Sequence, residues 1–185
     1  PFTISNCFFT AGITSYLKRK LRKDGDSTHK VPEVFKTKDN KTLCYIENEG
    51  KRDYYRVYEF IENAVTYNYS TDANIVYHTG AAFGNFQKSL IDYPMNRLHE
   101  TIPDFHNTSK RYQKLIDDIK IDPEGRVMEV ANEIVFILMR EDICPMIMDL
   151  LGTDKVPYRV THNDTKVNNV MMNAETGEYM AVIDL

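Results

Sequence analysis

The spacing of apolar positions changes several times along the chain, and each change marks an element. Residues 14–23 set Tyr16, Leu17 and Leu21 at helical spacing among basic side chains, and Asp24, Gly25, Asp26 and Ser27 end that run with turn-forming residues. From Val34 and Phe35 the chain reads as extended. Residues 43–46 and 54–61 are apolar and aromatic enough for two strands, with residues 48–51 as the hairpin turn between them. Past Glu62 the period lengthens to that of a helix: Ala82, Phe83, Phe86, Leu90 and Ile91 share a face, and Pro94 stops the run. Residues 111–120 give a second helix with Tyr112, Leu115, Ile116 and Ile119 on one side. Residues 126–140 are apolar on more than one face, which predicts a helix buried on most sides. Residues 145–151 add a short helix closed by Gly152. The pattern then returns to strands: 158–160 is short and extended, and residues 170–172 and 179–183 flank the turn 173–177 as a hairpin.

Strands, then helices, then a small hairpin predict an α+β fold in two unequal lobes with a hinge near residues 59–63. The expected division is 1–61, a helix plus β-hairpin, and 62–185, a mainly helical lobe carrying the second hairpin.

Composition narrows the classes. The 185 residues are 42% apolar and 27% charged, ordinary for a soluble globular chain. No run approaches the ~20 apolar residues of a membrane span, and residues 1–13 lack the basic start of a secretory leader. Cys7, Cys44 and Cys144 are widely spaced and form no CxxC pair, so reduced thiols in a cytoplasmic protein are expected, with no zinc site. A formal net charge of -4 gives no electrostatic basis for binding nucleic acid or an anionic membrane. In the tyrosine run from Tyr54 to Tyr69 the first part is read as alternating strand packing rather than base stacking, and the negative net charge argues against nucleic acid. His29, His78 and His99 have no partner at metal-ligand spacing and are expected at the surface.

The chemistry concentrates at residues 162–169, His-Asn-Asp-Thr-Lys-Val-Asn-Asn. Phosphoryl transfer needs a carboxylate to take the proton of the attacking hydroxyl, oxygen ligands for magnesium, and positive charge on the phosphate. The pattern His-x-Asp-x4-Asn supplies the first two as Asp164 and Asn169. A second metal-ligating Asp should follow a short hairpin, and Asp184 closes the strand after it. In an antiparallel hairpin turning near Glu175, Asn169 enters the first strand and Asp184 leaves the second, so both lie at the open end. Magnesium shares its shell with substrate phosphates, which suits so sparse a ligand set. His162 also reads as a core histidine satisfied by backbone, Lys166 as a solvated lysine, and Asn107 or Thr108 as a cap for the helix that follows.

Residues 161–170 with 181–185 resemble the aminoglycoside phosphotransferase and choline kinase family, relatives of the protein kinases. The Asn-Asp-Thr-Lys variant with a double Asn is most similar to the N-acetylhexosamine 1-kinase branch, as are Phe83-Gly84-Asn85-Phe86-Gln87 and residues 100–108. The resemblance spans most of residues 14–185. It implies a protein-kinase-like fold with Asp164 as catalytic base, His162 bracing the loop and Lys166 near the transferring phosphate. It implies Asn169 and Asp184 as Mg²⁺ ligands, and ATP with its adenine against the backbone of Glu59, Phe60 and Ile61. His106 and Asn107 would shape the substrate site. The substrate implied is a sugar, with phosphate passing to the anomeric hydroxyl of an N-acetylhexosamine; an amino-alcohol such as choline, or an aminoglycoside, is the alternative acceptor.

The chain also departs from that family. It carries neither G-x-G-x-x-G nor G-x4-G-K-[ST], and the helix at 14–23 holds no Glu to pair with a strand lysine. About fifty residues before the hinge are too few for a five-stranded lobe, and only Leu185 follows Asp184. The expectation is therefore a fragment with an incomplete N-terminal β lobe, whose uncovered surfaces favour self-association. A non-catalytic pseudo-kinase or interaction module stands as the alternative.

Overall fold

The computed structural model describes residues 4–98 and 102–185, with side chains from Ala11 onward in the first stretch. His99 and the start of the run 100–108 lie outside the described residues. The fold is α+β, with two small antiparallel sheets and several helices.

The first helix, α1 (Ile4–Asp24), begins ten residues ahead of the predicted start. A single Gly inside a helix costs only about 1 kcal/mol. Gly12 is where α1 meets the Tyr93 hydroxyl, which a Cβ there would approach to 3.1 Å. Ile13 and Leu17 of α1 are buried with Phe86, Leu90, Tyr93 and Val160 in one core cluster.

Strands β1 (Cys44–Asn48) and β2 (Lys51–Tyr55) form the first hairpin. Its turn is tighter than predicted. Only Glu49 (φ 51°) and Gly50 (φ 78°) lie between the strands, and two positive φ values match the twist of a two-residue hairpin. β2 therefore starts at Lys51 and stops at Tyr55, not at residue 61. Tyr45 faces Tyr54 across the ladder, with ring centroids 5.9 Å apart, and both rings are exposed. Residues 33–35 and 57–59 continue as a short extended pair: Phe35 N–H donates to Val57 O and Glu59 N–H to Glu33 O, each at 2.8 Å.

Past Glu62 the chain does not turn helical at once. A two-residue strand, β3 (Ala64–Val65), pairs with the later hairpin strand β4 (Val170–Asn173), which pairs in turn with β5 (Tyr179–Val182). Helix α2 (Ala73–Ser89) follows, its N-terminus capped by the Asp72 side chain, which accepts from Asn74 N–H. Its buried positions Ile75, Thr79, Ala82, Phe83 and Phe86 form one helical stripe. Ile75, Ala82 and Phe83 pack on Val170 and Met172 of β4 in a second cluster. Burying the Ile, Phe, Val and Met side chains of this cluster stabilises by about 1.5–3 kcal/mol each.

By contacts the chain divides into residues 1–101 with 159–185, and residues 102–158. The second unit holds α3 (Thr108–Ile121), α4 (Ala131–Leu138) and α5 (Met146–Leu150). Residues 127–130 ahead of α4 are a 3-10 turn. α4 corrects the prediction of a helix buried on most sides: none of its residues is buried, and Val135, Phe136, Ile137 and Leu138 are exposed. Apolar periodicity marks the face that favours burial, but it does not supply the surface that covers it. Residues 158–160 form no ladder; Val160 is instead a member of the first core cluster.

Candidate active site

The loop between residues 161 and 169 is shaped by its own short-range bonds. Asn163 takes a left-handed conformation (φ 65°), which Asn tolerates better than most residues. Its side chain accepts from the Thr161 hydroxyl at 2.6 Å. Lys166 N–H then donates to Asp164 O at 2.9 Å, and Asn169 N–H to Lys166 O at 3.0 Å. These closures wind residues 167–169 into a single 3-10 turn that delivers Asn169 to the start of β4.

Three of the predicted residues converge. Asn169 is buried, and its Nδ2 donates to Asp164 O at 2.8 Å and to Asp164 Oδ2 at 2.9 Å. The Lys166 ammonium lies 2.8 Å from the same Asp164 Oδ2. The hydrogen bond from Lys166, then that from Asn169, holds the Asp164 carboxyl below its ordinary range. Lys166 is raised in return, first by its bond to Asp164, with the charge of Asp184 adding to it. Asp164 is thus an ionised, oriented carboxylate beside a cation that stays charged.

His162 sits behind this group. Its Nε2–H donates to Ile183 O at 2.8 Å, and its ring meets the edges of Phe83 and Phe86 at 5.3 and 5.8 Å between centroids. The carbonyl acceptor fixes the proton on Nε2. Nδ1 is buried and meets no hydrogen-bond partner among the described residues. Ile183 N–H donates to Asn169 O at 2.9 Å, which extends the β4–β5 ladder by one step and ties the two ends of the hairpin together. Asp184 follows in a left-handed conformation, φ 63°. Two non-glycine residues with positive φ, Asn163 and Asp184, therefore flank the cluster.

The donor set fits a hard cation. Both Nδ2 hydrogens of Asn169 face Asp164, so Oδ1 is the oxygen it could offer a cation, and the Asp184 carboxylate is the second candidate donor. Oxygen donors of this kind suit magnesium rather than a soft metal. Among the described residues no three His, Cys, Asp or Glu side chains converge into a metal cage. Two protein ligands suit an ion that completes its shell with phosphate and water.

The other predicted residues make contacts of their own. Glu59 N–H is taken by Glu33 O, Phe60 is 84% exposed, and Ile61 is buried. Asn107 is the N-cap of α3: its Oδ1 accepts from Lys110 N–H at 3.1 Å and its Nδ2 donates to Asp104. His106 and Asn107 belong to the second unit. Sequence reading missed the parts of the site that come from distant chain, above all Phe83 and Phe86 behind His162. It also missed His29, which is half-buried, bonds Asp26 and stacks on Tyr179. The run 26–29, an Asp three residues ahead of a His, was the available signal.

Residues 17–185 match the family model described as the phosphotransferase enzyme family (APH). A match over so much of the chain, with an ionised Asp164 set between the amide of Asn169 and the ammonium of Lys166, shows that this chain belongs to the APH phosphotransferase enzyme family.

Proposed function

We propose that this chain carries the catalytic residues of an ATP-dependent phosphotransferase of protein-kinase-like fold that acts on a hydroxyl of a small molecule. The observation that carries the reading is the Asp164 carboxylate, held at Oδ2 by Asn169 and Lys166 and partly open to solvent. A carboxylate so placed orients an incoming hydroxyl and accepts its proton as the oxygen attacks phosphorus. Lys166 then faces the negative charge of the phosphoryl group as well as that of Asp164. Positioning and charge stabilisation supply most of the rate in this chemistry. A magnesium ion on Asn169 and Asp184 would supply charge neutralisation at the phosphate oxygens. His162 acts as a positioning residue, since its bond to Ile183 O fixes the backbone immediately before Asp184.

Adenine would lie against the main chain of Glu59, Phe60 and Ile61. Its edge offers one donor and one acceptor, and because Glu59 N–H is already bonded, Glu59 contributes its carbonyl. The acceptor favoured by the sequence resemblance is the anomeric hydroxyl of an N-acetylhexosamine.

The test is a phosphoryl-transfer assay on the full chain with Mg-ATP and a panel of N-acetylglucosamine, N-acetylgalactosamine, choline and an aminoglycoside. Transfer to the hexosamines that is lost in Asp164→Asn supports the reading. Transfer to choline alone replaces the acceptor. Absence of saturable Mg-ATP binding by calorimetry removes the nucleotide site from this chain and favours a non-catalytic module.

A further inference from the structure

A cavity of about 510 Å³ opens between α1, the turn after it, α2 and β5. None of Asp164, Lys166, Asn169 and Asp184 lines it. Its floor is apolar and buried, made by Leu17, Ala82 and Phe86 with Val182 beside them. One wall is a stacked pair: the His29 ring lies on the Tyr179 ring with centroids 4.3 Å apart and planes 22° from parallel.

Both rings are fixed from outside the cavity floor. His29 Nδ1 lies 2.5 Å from Asp26 Oδ2, and Asn85 Nδ2 donates to the Tyr179 hydroxyl at 2.5 Å. The turn itself is tied to β5 by Lys30 N–H donating to Met180 O at 2.7 Å. The wall is therefore formed before any ligand arrives, which lowers the ordering cost of binding. The rim carries Lys20, Lys30 and Lys88 against Asp24 and Asp26. Asp26 is engaged by His29 and Lys20 by Asp92, at 3.5 Å, so Lys30, whose Nζ also donates to Ser27 O at 3.1 Å, and Lys88 stand against Asp24 and leave the rim with a net positive charge. A volume of this size, apolar with a few placed polar groups and one aromatic wall, is the usual form of a small-molecule site.

We propose that this cavity is a second ligand site, for a flat aromatic acid. Its ring lies against the His29–Tyr179 pair and the Phe86 floor, and its carboxylate meets Lys30 and Lys88. Occupancy is felt at the catalytic loop through Phe86, whose ring is at once part of the cavity floor and an edge contact of His162. His162 holds Ile183 O, one residue from Asp184. A ligand that fixes the Phe86 ring changes the freedom of that chain of contacts. The binding claim stands on the cavity alone; only an effect on turnover rests on the phosphotransferase reading.

The experiment titrates the full chain with 2-naphthoate, and with neutral 2-naphthamide as its uncharged counterpart, while the ring resonances of His29 and His162 are followed by NMR. Naphthoate is expected to saturate, to bind at least tenfold tighter than the amide, and to shift both histidines. The double variant Lys30→Glu, Lys88→Glu changes two exposed side chains and should abolish the preference for the acid. Asp164→Asn should bind naphthoate as the parent does, whatever its activity. Phe86→Leu should keep the His29 shift and lose most of the His162 shift. No saturable response, equal affinity for acid and amide, an unchanged double variant, or direct competition with Mg-ATP would each overturn the site. A His29 shift without a His162 shift would overturn the coupling.

Discussion

The side-chain amide of Asn169 donates to both the main-chain oxygen and the carboxylate of Asp164, at 2.8 and 2.9 Å. One buried side chain thus fixes the loop backbone and aims the acid it carries. On the proposed reading Oδ1 of the same amide is left for a cation, and Asn169 then couples the position of the base to that of the ion. The two residues are five apart in sequence, and a single 3-10 turn between them is enough to bring them together.

Asp164→Asn leaves the shape of the loop intact and removes the proton acceptor. Turnover should fall by about 10²–10⁴ with little change in the affinity for Mg-ATP. Steady-state rates and calorimetry on the same preparation check both halves; near-parental turnover removes Asp164 as the base.

Lys166→Met removes the ammonium from Asp164 Oδ2. A loss of about 10² in kcat is expected, the usual effect of deleting one charge-stabilising donor. Independently of activity, the Asp164 carboxyl should titrate at higher pH in this variant, since the hydrogen bond from Lys166 is the largest cause of its depression. Carbon-13 NMR of the Asp side chains reads that shift.

Phe86 is buried and touches His162. Phe86→Ala should destabilise the first unit by about 3–5 kcal/mol through the cavity it leaves. His162→Ala should cost less, since it loses one hydrogen bond and edge contacts, but it should raise amide exchange at Ile183. Denaturant unfolding and amide exchange separate the two.

Asp26 joins the turn after α1. Its Oδ1 accepts from Thr28 and His29 N–H at 3.0 Å each. Burial pushes its carboxyl up, but the bonds from the His29 amide and ring and the Thr28 amide outweigh that and hold it below the ordinary value. A depressed carboxyl contributes stability that is present above its unfolded value and lost as pH falls through its folded one. Asp26→Asn should therefore flatten the loss of stability below about pH 4, and it should cost about 1 kcal/mol at neutral pH. Thermal unfolding across pH 2–7 reads both effects.

Asn107→Ala removes the α3 cap at a cost of about 0.5–2 kcal/mol. Amide exchange should rise at Ser109 and Lys110 first.

Much of the site was legible because its parts are close in sequence. His162, Asp164, Lys166 and Asn169 fall within eight residues, and a hairpin with a short turn brings Asp184 back by local geometry. The cap signal at α3 was equally local, since Asn107 acts on the residues beside it, whereas α2 ends at Ser89, ahead of the predicted stop at Pro94. Where reading failed, the deciding contact was distant. β3 exists because Ala64 and Val65 find Asn173 and Met172 more than a hundred residues later.

By itself, the sequence determined the α+β class, the two hairpins and the polar run around Asp164, since turns, caps and periods are set by neighbouring residues. Only the tertiary structure decided that Phe83 and Phe86 stand behind His162, and that His29 stacks on Tyr179 beside Asn85. It also decided that the most apolar helix, α4, has no buried residue. An apolar face records a preference for burial, and its fulfilment depends on which distant surface reaches it.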